Sequence, residues 1–205
     1  MISYKPGSGT AESPDIPESE SWILEGNVNA DLQHAWTTTR EFCSKINSAT
    51  KRNRRLPKEI LLNTMASVMY PLLGLKDFEP NSLDEAIRLG LLAFSSHTFL
   101  LYQNMKPPQI SFPKKYRECL QGIEFSAVPA LTGLWLLTIG SVSVFTPTDN
   151  SWLMPLLREQ MRHCRISGWN DMRDYLKLFL WIDMLHDSPG QKVFSTAWTP
   201  SCEIN

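Results

Sequence analysis

The chain has 205 residues, a formal net charge of −1 and a hydrophobic content of 42%. A chain of this length and composition buries the core of one ordinary domain, which excludes a protein that is disordered throughout. A net-neutral chain can still hold a local basic patch, so the distribution of charge is more informative than its sum. No C-x-x-C pair and no signal peptide are visible, and an intracellular protein with four reduced thiols is predicted: Cys43, Cys119, Cys164 and Cys202.

The N-terminal region differs in composition from the rest. Residues 1–20 are rich in Pro, Gly, Ser and Glu and offer little that could pack, so a disordered acidic tail is predicted there. Residues 21–205 are predicted to form one helical domain. Across residues 1–30 a single basic side chain, Lys5, stands against five acidic ones: Glu12, Asp15, Glu18, Glu20 and Glu25.

Helical periodicity begins after the tail. Apolar positions such as Leu32, Trp36 and Phe42 predict a first helix over residues 31–47, followed by a basic loop over residues 49–55. Pro57 suits the first turn of a second helix, and Pro71 is expected to end or kink it.

A third helix over residues 83–102 follows an apparent capping box formed by Ser82 and Glu85, with one apolar face and a stop at the prolines of positions 107 and 108. A short helix over residues 112–125 comes next. Four of its charged residues are expected to face water: Lys114, Lys115, Arg117 and Glu118.

Residues 125–148 contain no charged side chain and therefore raise the possibility of a membrane span. Pro129, Gly133 and Gly140 leave only about 15 continuous apolar residues, fewer than the roughly 20 that cross a bilayer. We therefore predict a buried core helix here, and a membrane-associated protein stays as a third alternative.

Two further helices complete the predicted bundle. Thr148 is expected to cap the helix that carries Trp152, and Ser167 to cap one long central helix over residues 169–186 that ends before Pro189. The predicted fold is thus all-α, an irregular multi-helix bundle. Four tryptophans are predicted as its core anchors: Trp135, Trp152, Trp169 and Trp181.

Chemistry that would indicate an enzyme is sparse. Phosphate-binding loops, nucleophile elbows and dinucleotide fingerprints are absent from the sequence. Glu159 and His163 lie four apart and are interpreted as a solvated surface pair, and Arg173 interrupts the acidic cluster that a diphosphate-binding magnesium site would need. The adjacent His186 and Asp187 are expected to cap a helix C-terminus. No catalytic, metal-binding or cofactor-binding residue is predicted.

The basic run between the first two helices is a candidate nuclear-import signal, because import receptors read short, exposed cationic segments. A solvated loop explains the same residues equally well. Four charges would give only salt-sensitive, non-specific affinity for DNA, so direct sequence-specific DNA binding is not expected. The candidate residues are Lys51, Arg52, Arg54 and Arg55.

Several segments together resemble the regulatory domain of fungal zinc-cluster transcription factors. They are LWLL (134–137), Val144-Phe145, Asp149 with Trp152, SGWNDMR (167–173) and the stretch from Leu180-Trp181 to His186-Asp187. The resemblance covers residues 56–194 and implies a helical regulatory bundle in the nucleus, without catalytic residues. Members of that family read DNA through a six-cysteine zinc cluster, which four isolated cysteines cannot form.

These observations lead to one expectation about function and one alternative. We expect a transcription-factor-like regulatory protein, nuclear and also compatible with the cytoplasm, that lacks its own DNA-reading module. It would act through contacts with a full-length transcription factor or co-regulator, and a small effector could bind between its helices. The alternative is an all-α enzyme or binding protein for an apolar small molecule, for example in secondary metabolism.

Overall fold

A computed structural model of the chain describes residues 28–75, 78–102 and 111–198, and within these ranges it contains eight α-helices and no strand. The predicted all-α class is confirmed. The tail of residues 1–20, the stop at positions 107 and 108, and Cys202 lie outside the described residues. The helices are α1 (Ala30–Lys51), α2 (Lys58–Gly74), α3 (Leu83–Tyr102), α4 (Ser111–Gly122), α5 (Ala130–Ser143), α6 (Asn150–His163), α7 (Trp169–Leu178) and α8 (Asp183–Trp198).

The first two helices pack against each other across a short connection. Helix α1 is longer than predicted, because the residues expected to open the basic loop, 49–51, still belong to its last turn. Helix α2 does not end at Pro71: it continues to Gly74, and the Leu75 amide donates to the Pro71 carbonyl at 3.0 Å. Only Leu61, Val68 and Leu72 of α2 are buried, although the helix is apolar on most sides.

Helices α3 and α5 form the centre of the bundle. Residues 131–140 of α5 are all buried, as expected of a core helix, and no helix among the described residues is long and apolar enough to cross a membrane. The single apolar face predicted for α3 is wrong, because residues 85–95 are buried on every side. The two helices approach closely at Gly90, where a Cβ atom would lie 2.7 Å from Leu136 and 2.8 Å from Trp135.

A buried carboxylate joins α2, α3 and α4. The Glu85 side chain accepts hydrogen bonds from Arg88 at 2.6 and 2.7 Å and pairs with Lys115 at 2.8 Å. Arg88 also donates to the Leu72 carbonyl of α2 at 3.4 Å. The capping box is therefore only half formed: the Glu85 amide donates to Ser82 Oγ at 3.2 Å, but its carboxylate binds these cations instead.

The start of α6 is capped differently from the prediction. Thr148 is not the cap; a 3₁₀ turn, Pro147–Asp149, leads into the helix, and Thr146 and Asp149 form the capping box. The buried Asp149 carboxylate also accepts from Trp152 Nε1 at 3.2 Å and forms an ion pair with Arg117 of α4. Arg117 therefore does not simply face water, as its position in α4 suggested.

The long helix predicted over residues 169–186 is wrong. Helix α7 ends at Leu178, and residues 179–182 run through the core as a buried non-helical connection. Helix α8 then begins at Asp183 and continues through Pro189 to Trp198. A break of this kind is invisible to periodicity because all four connecting residues are apolar. Helix α8 passes Pro189 because later residues, among them Gly190 and Phe194, are buried against the bundle.

The predicted tryptophan anchors divide into two groups. Trp135 and Trp181 are fully buried, whereas Trp152 and Trp169 are partly buried and pack against the edge of the core. Trp36 of α1 is also buried and meets Trp135 edge-on, with ring centroids 5.0 Å apart. The core thus extends from α1 through α5 to the connection between α7 and α8.

Candidate functional site

The four candidate import residues lie on one exposed turn, which we name the basic turn (Lys51, Arg52, Arg54 and Arg55). Lys51 ends α1, Arg52 caps it, and the other two precede α2. Asn53 between them has φ of 52°, a left-handed conformation that Asn tolerates better than most residues. All four side chains are exposed, and none forms an ion pair with a described residue.

An apolar stripe runs along α2 from the end that follows the basic turn; its first two residues are half-buried and its last two are exposed. Its members are spaced three or four residues apart, so they share one face of the helix. Tyr70 is 75% and Leu73 is 58% exposed, which is unusual for large hydrophobic side chains outside an interface. We name the α2 stripe by its four residues: Leu62, Ala66, Tyr70 and Leu73.

Two of the five segments named in the resemblance, residues 167–173 and 180–187, meet at the junction of α7 and α8. Arg173 of α7 donates to one Asp187 oxygen at 2.6 and 2.9 Å, and Trp181 Nε1 donates to the other at 2.8 Å. Burial alone raises the pKa of Asp187, but these hydrogen bonds outweigh it and the pKa is lowered. We call Arg173, Trp181 and Asp187 the polar clasp.

Helix α1 is fastened to the same junction by an asparagine that sequence reasoning missed. Asn47 Nδ2 donates to the Trp181 carbonyl at 2.9 Å, and Asn47 Oδ1 accepts from the Asp183 amide at 3.0 Å. These two bonds satisfy backbone groups that the break between α7 and α8 exposes. One polar residue in an otherwise ordinary helix gives no signal of such a role, because its partners lie more than a hundred positions away.

Ser167 is not the N-cap of α7. Gly168 occupies that position, and Ser167 precedes it and binds the Asp171 carboxylate through both its backbone amide, at 2.9 Å, and its hydroxyl. The hydroxyl bond and the amide bond lower the pKa of Asp171. Asp171 and Arg173 therefore serve different elements: the first closes the α7 turn, and the second binds α8.

His186 is not at a helix C-terminus, as predicted, but in the first turn of α8, fully buried. Its Nδ1 accepts from the Ile182 amide at 2.9 Å, so the neutral ring carries its proton on Nε2. That atom has no hydrogen-bond partner among the described residues, and neither does Nδ1 of the stacked His97, whose ring centroid is 5.4 Å away. Burial, reinforced by the neighbouring His97, lowers the pKa of His186 to about 3.

The remaining titratable groups that the sequence singled out do not converge. Glu159 and His163 form a surface pair at 3.0 Å, as interpreted. Burial raises the pKa of Cys43 to about 12 and that of Cys119 to about 11, which keeps both thiols protonated and unreactive near neutral pH. Within the described ranges no group of three or more His, Cys, Asp or Glu residues could hold a metal ion.

Comparison with known proteins adds no assignment. No family model, no curated protein and no solved structure matches the chain.

Proposed function

We propose that this chain is a transcription-factor-like regulatory protein of the nucleus that acts through protein contacts; its 205 residues contain no zinc-cluster motif. Its partner would be a full-length transcription factor or a co-regulator, which supplies the DNA-reading function. The bundle, on this proposal, presents surfaces for that partner and can take a small effector between its helices.

The observation that carries the proposal is the exposure of the basic turn. Import receptors need cations that are accessible and not neutralised by neighbouring carboxylates. All four cations are exposed, and within the described part of the chain none is paired. The α2 stripe adds a second feature suited to protein contact, because exposed aromatic and aliphatic side chains commonly mark interaction surfaces.

Localisation tests the proposal. The full chain, at 23.4 kDa, is fused to a tandem fluorescent tag large enough to prevent passive diffusion through nuclear pores. The variant changes the four residues of the basic turn to Ala. Its matched control changes four exposed cations elsewhere on the bundle to Ala and so removes the same charge: Lys45, Lys114, Arg162 and Lys192.

The expected result is nuclear signal for the wild type and the control and its loss for the basic-turn variant. A wild-type chain excluded from the nucleus contradicts the proposal. Nuclear signal in all three chains contradicts the role of the basic turn and indicates import on a partner. Unfolding curves of the purified variants verify that each is folded, and little change is expected because surface substitutions usually alter stability by only about 0.5 kcal/mol.

A further inference from the structure

The pair of helices α1 and α2 carries opposite charges at its two ends. The end where the helices connect holds the basic turn and Lys58, and all five cations are exposed. The other end holds three carboxylates, which we name the acidic end: Asp31, Glu79 and Asp84. None of the three forms an ion pair with a described residue, whereas the charges next to them, Glu85, Arg88 and Lys115, bind one another. Positions 76 and 77, outside the described residues, add one charge of each sign.

Two contacts place the acidic end beside the last turn of α2, far from the basic turn. The start of α1 meets the start of α3, where the Asn29 amide hydrogen-bonds the Asp84 carboxylate. One helical turn further along α3, Arg88 donates to the Leu72 carbonyl of α2 at 3.4 Å. The other two carboxylates of the acidic end lie within four residues of these helix starts. Helix α2 has 17 residues, so the two charged ends are about 25 Å apart at ~1.5 Å per residue.

Between the two ends, the outer face of α2 is uncharged. Lys58 and Glu59, in the first turn, are the charged residues of this helix, and residues 60–74 include none. The α2 stripe lies on this face, where Tyr70 is 75% and Leu73 is 58% exposed. The partner that matches the whole face is therefore acidic opposite the basic turn, apolar along the stripe and basic opposite the acidic end.

A second copy of the chain has this order of charges when its α2 runs antiparallel to the first. A two-fold axis through the middle of the helix, near Ala66, brings each end of one copy onto the opposite end of the other. Leu62 of each copy then lies opposite Tyr70 of the other, and the short Ala66 side chains permit a close approach at the axis. The two basic turns stay about 25 Å apart, well beyond the screening length of ~8 Å at physiological salt, so they repel each other little.

We propose that two copies of this chain associate through antiparallel α2 helices, with the basic turn of each copy on the acidic end of the other. A membrane is a poorer occupant, because Asn63 and Ser67 are exposed beside the stripe and would lose their contacts with water. One pair of helices buries less area than a standard interface, so we expect a reversible dimer. The contact does not rest on the proposed nuclear function. Its consequence is that the dimer covers the cations that an import receptor would read.

Charge reversal tests the contact by sedimentation equilibrium of the purified full chain. One variant makes the basic end acidic (Arg54→Glu, Arg55→Glu, Lys58→Glu), and the other makes the acidic end basic (Asp31→Lys, Glu79→Lys). Each variant alone brings like charges together at both ends of the interface and should be monomeric at concentrations where the wild type is a dimer. An equimolar mixture of the two variants restores opposite charges at both ends and should dimerise, which a misfolded variant could not do.

Substitution of the α2 stripe tests the apolar part of the interface. The double variant Tyr70→Ser, Leu73→Ser should raise the dissociation constant of the dimer by roughly tenfold or more. Its matched control, Trp198→Ser, removes a side chain of α8 that is 51% exposed and should leave the dissociation constant unchanged. Equal dissociation constants in the stripe variant and the wild type contradict the proposal, provided that both have the same unfolding midpoint.

Three further results overturn the proposal. One is a wild-type chain that stays monomeric up to about 1 mM. Another is a mixture of the two charge-reversal variants that is no more dimeric than either variant alone, because the two ends then do not meet. The third is a monomeric chain that binds vesicles of anionic phospholipid and loses this binding with the stripe substitutions, which would assign the surface to a membrane.

Discussion

The buried His186 makes stability depend on pH between about 5 and 6.5, above the range in which carboxylates ordinarily titrate. Its pKa falls from an ordinary value of 6.5 to about 3 in the folded protein. Between about pH 3 and pH 6.5, His186 is therefore protonated in the unfolded state and neutral in the folded state. This contribution is fully present above the unfolded pKa and is lost as the pH falls below it. Each pH unit in that range costs about 1.4 kcal/mol of the free energy of unfolding.

The matched variant is His186→Asn. Its side-chain oxygen can accept the Ile182 amide in place of Nδ1, which keeps the helix start satisfied but removes the titration. Between pH 7 and pH 5 we expect the wild type to lose about 2 kcal/mol more of its unfolding free energy than the variant does. Burial lowers the pKa of His97 too, so His97 also reduces the free energy of unfolding as the pH falls, in the wild type and in the variant alike.

Urea unfolding followed by circular dichroism at several pH values measures this difference. Four carboxylates have lowered pKa values, and the stability they contribute is lost only as the pH falls below their ordinary values, 4.5 for Glu85 and 3.8 for Asp149, Asp171 and Asp187. They therefore leave the range above about pH 5 nearly unaffected. Parallel pH profiles for wild type and His186→Asn would refute the reasoning, because they would show that the buried ring does not resist protonation.

Three further outcomes follow from the packing and the clasp. Gly90→Ala places a methyl group against Leu136 and the Trp135 ring of α5 and should destabilise the fold by about 1–3 kcal/mol, measured by urea unfolding. Asp187→Asn leaves a cation with a weakened partner, and a loss of about 1–3 kcal/mol is expected by the same assay. Cys43 and Cys119 should not react with a thiol reagent in the native protein at about pH 8, because burial raises both pKa values. Mass spectrometry of the digested protein identifies which thiols were modified.

Each of these outcomes has a control. Gly74→Ala should alter stability by no more than about 0.5 kcal/mol, because a Cβ there has nothing within 4 Å. Asp174→Asn, on the exposed side of α7, should likewise be near neutral. Equal effects at Gly90 and Gly74, or at Asp187 and Asp174, would contradict the packing and clasp arguments. Rapid native labelling of either buried thiol would contradict the third.

The core of the bundle was predictable from the sequence where composition leaves one solution. The uncharged run over residues 125–148 predicts a buried helix, and α5 is one. Its residues 131–140 carry no charge, so every face of the helix can be buried in an apolar environment. In α3 the spacing of apolar residues predicted too little burial, because charged residues on the presumed outer face are buried as well. Glu85 and Arg88 look like solvent-facing residues, yet they neutralise each other inside the protein.

The errors near the C-terminus share one physical cause. The connection over residues 179–182 is entirely apolar, so local pattern cannot separate a buried loop from a buried helix. Backbone groups there are satisfied by Asn47 and by the His186 ring, which are contacts that only the folded chain supplies. The cap of α6 was missed for a similar reason: Asp149, not Thr148, pairs with Arg117, a cation far away in the sequence.

The sequence indicates the basic turn as a run of Lys and Arg residues, but the backbone conformation decides whether their side chains are exposed. Asn53 in a left-handed conformation reverses the chain between α1 and α2 and leaves the flanking cations pointing into water. One turn earlier in α1, Asn47 holds the connection between α7 and α8. The C-terminal end of α1 thus contacts the connection between α7 and α8 through Asn47 and finishes at the exposed cations. The residue that closes the α7–α8 connection and the cations that face water therefore share one helix end, a relation that local periodicity in the sequence does not reveal.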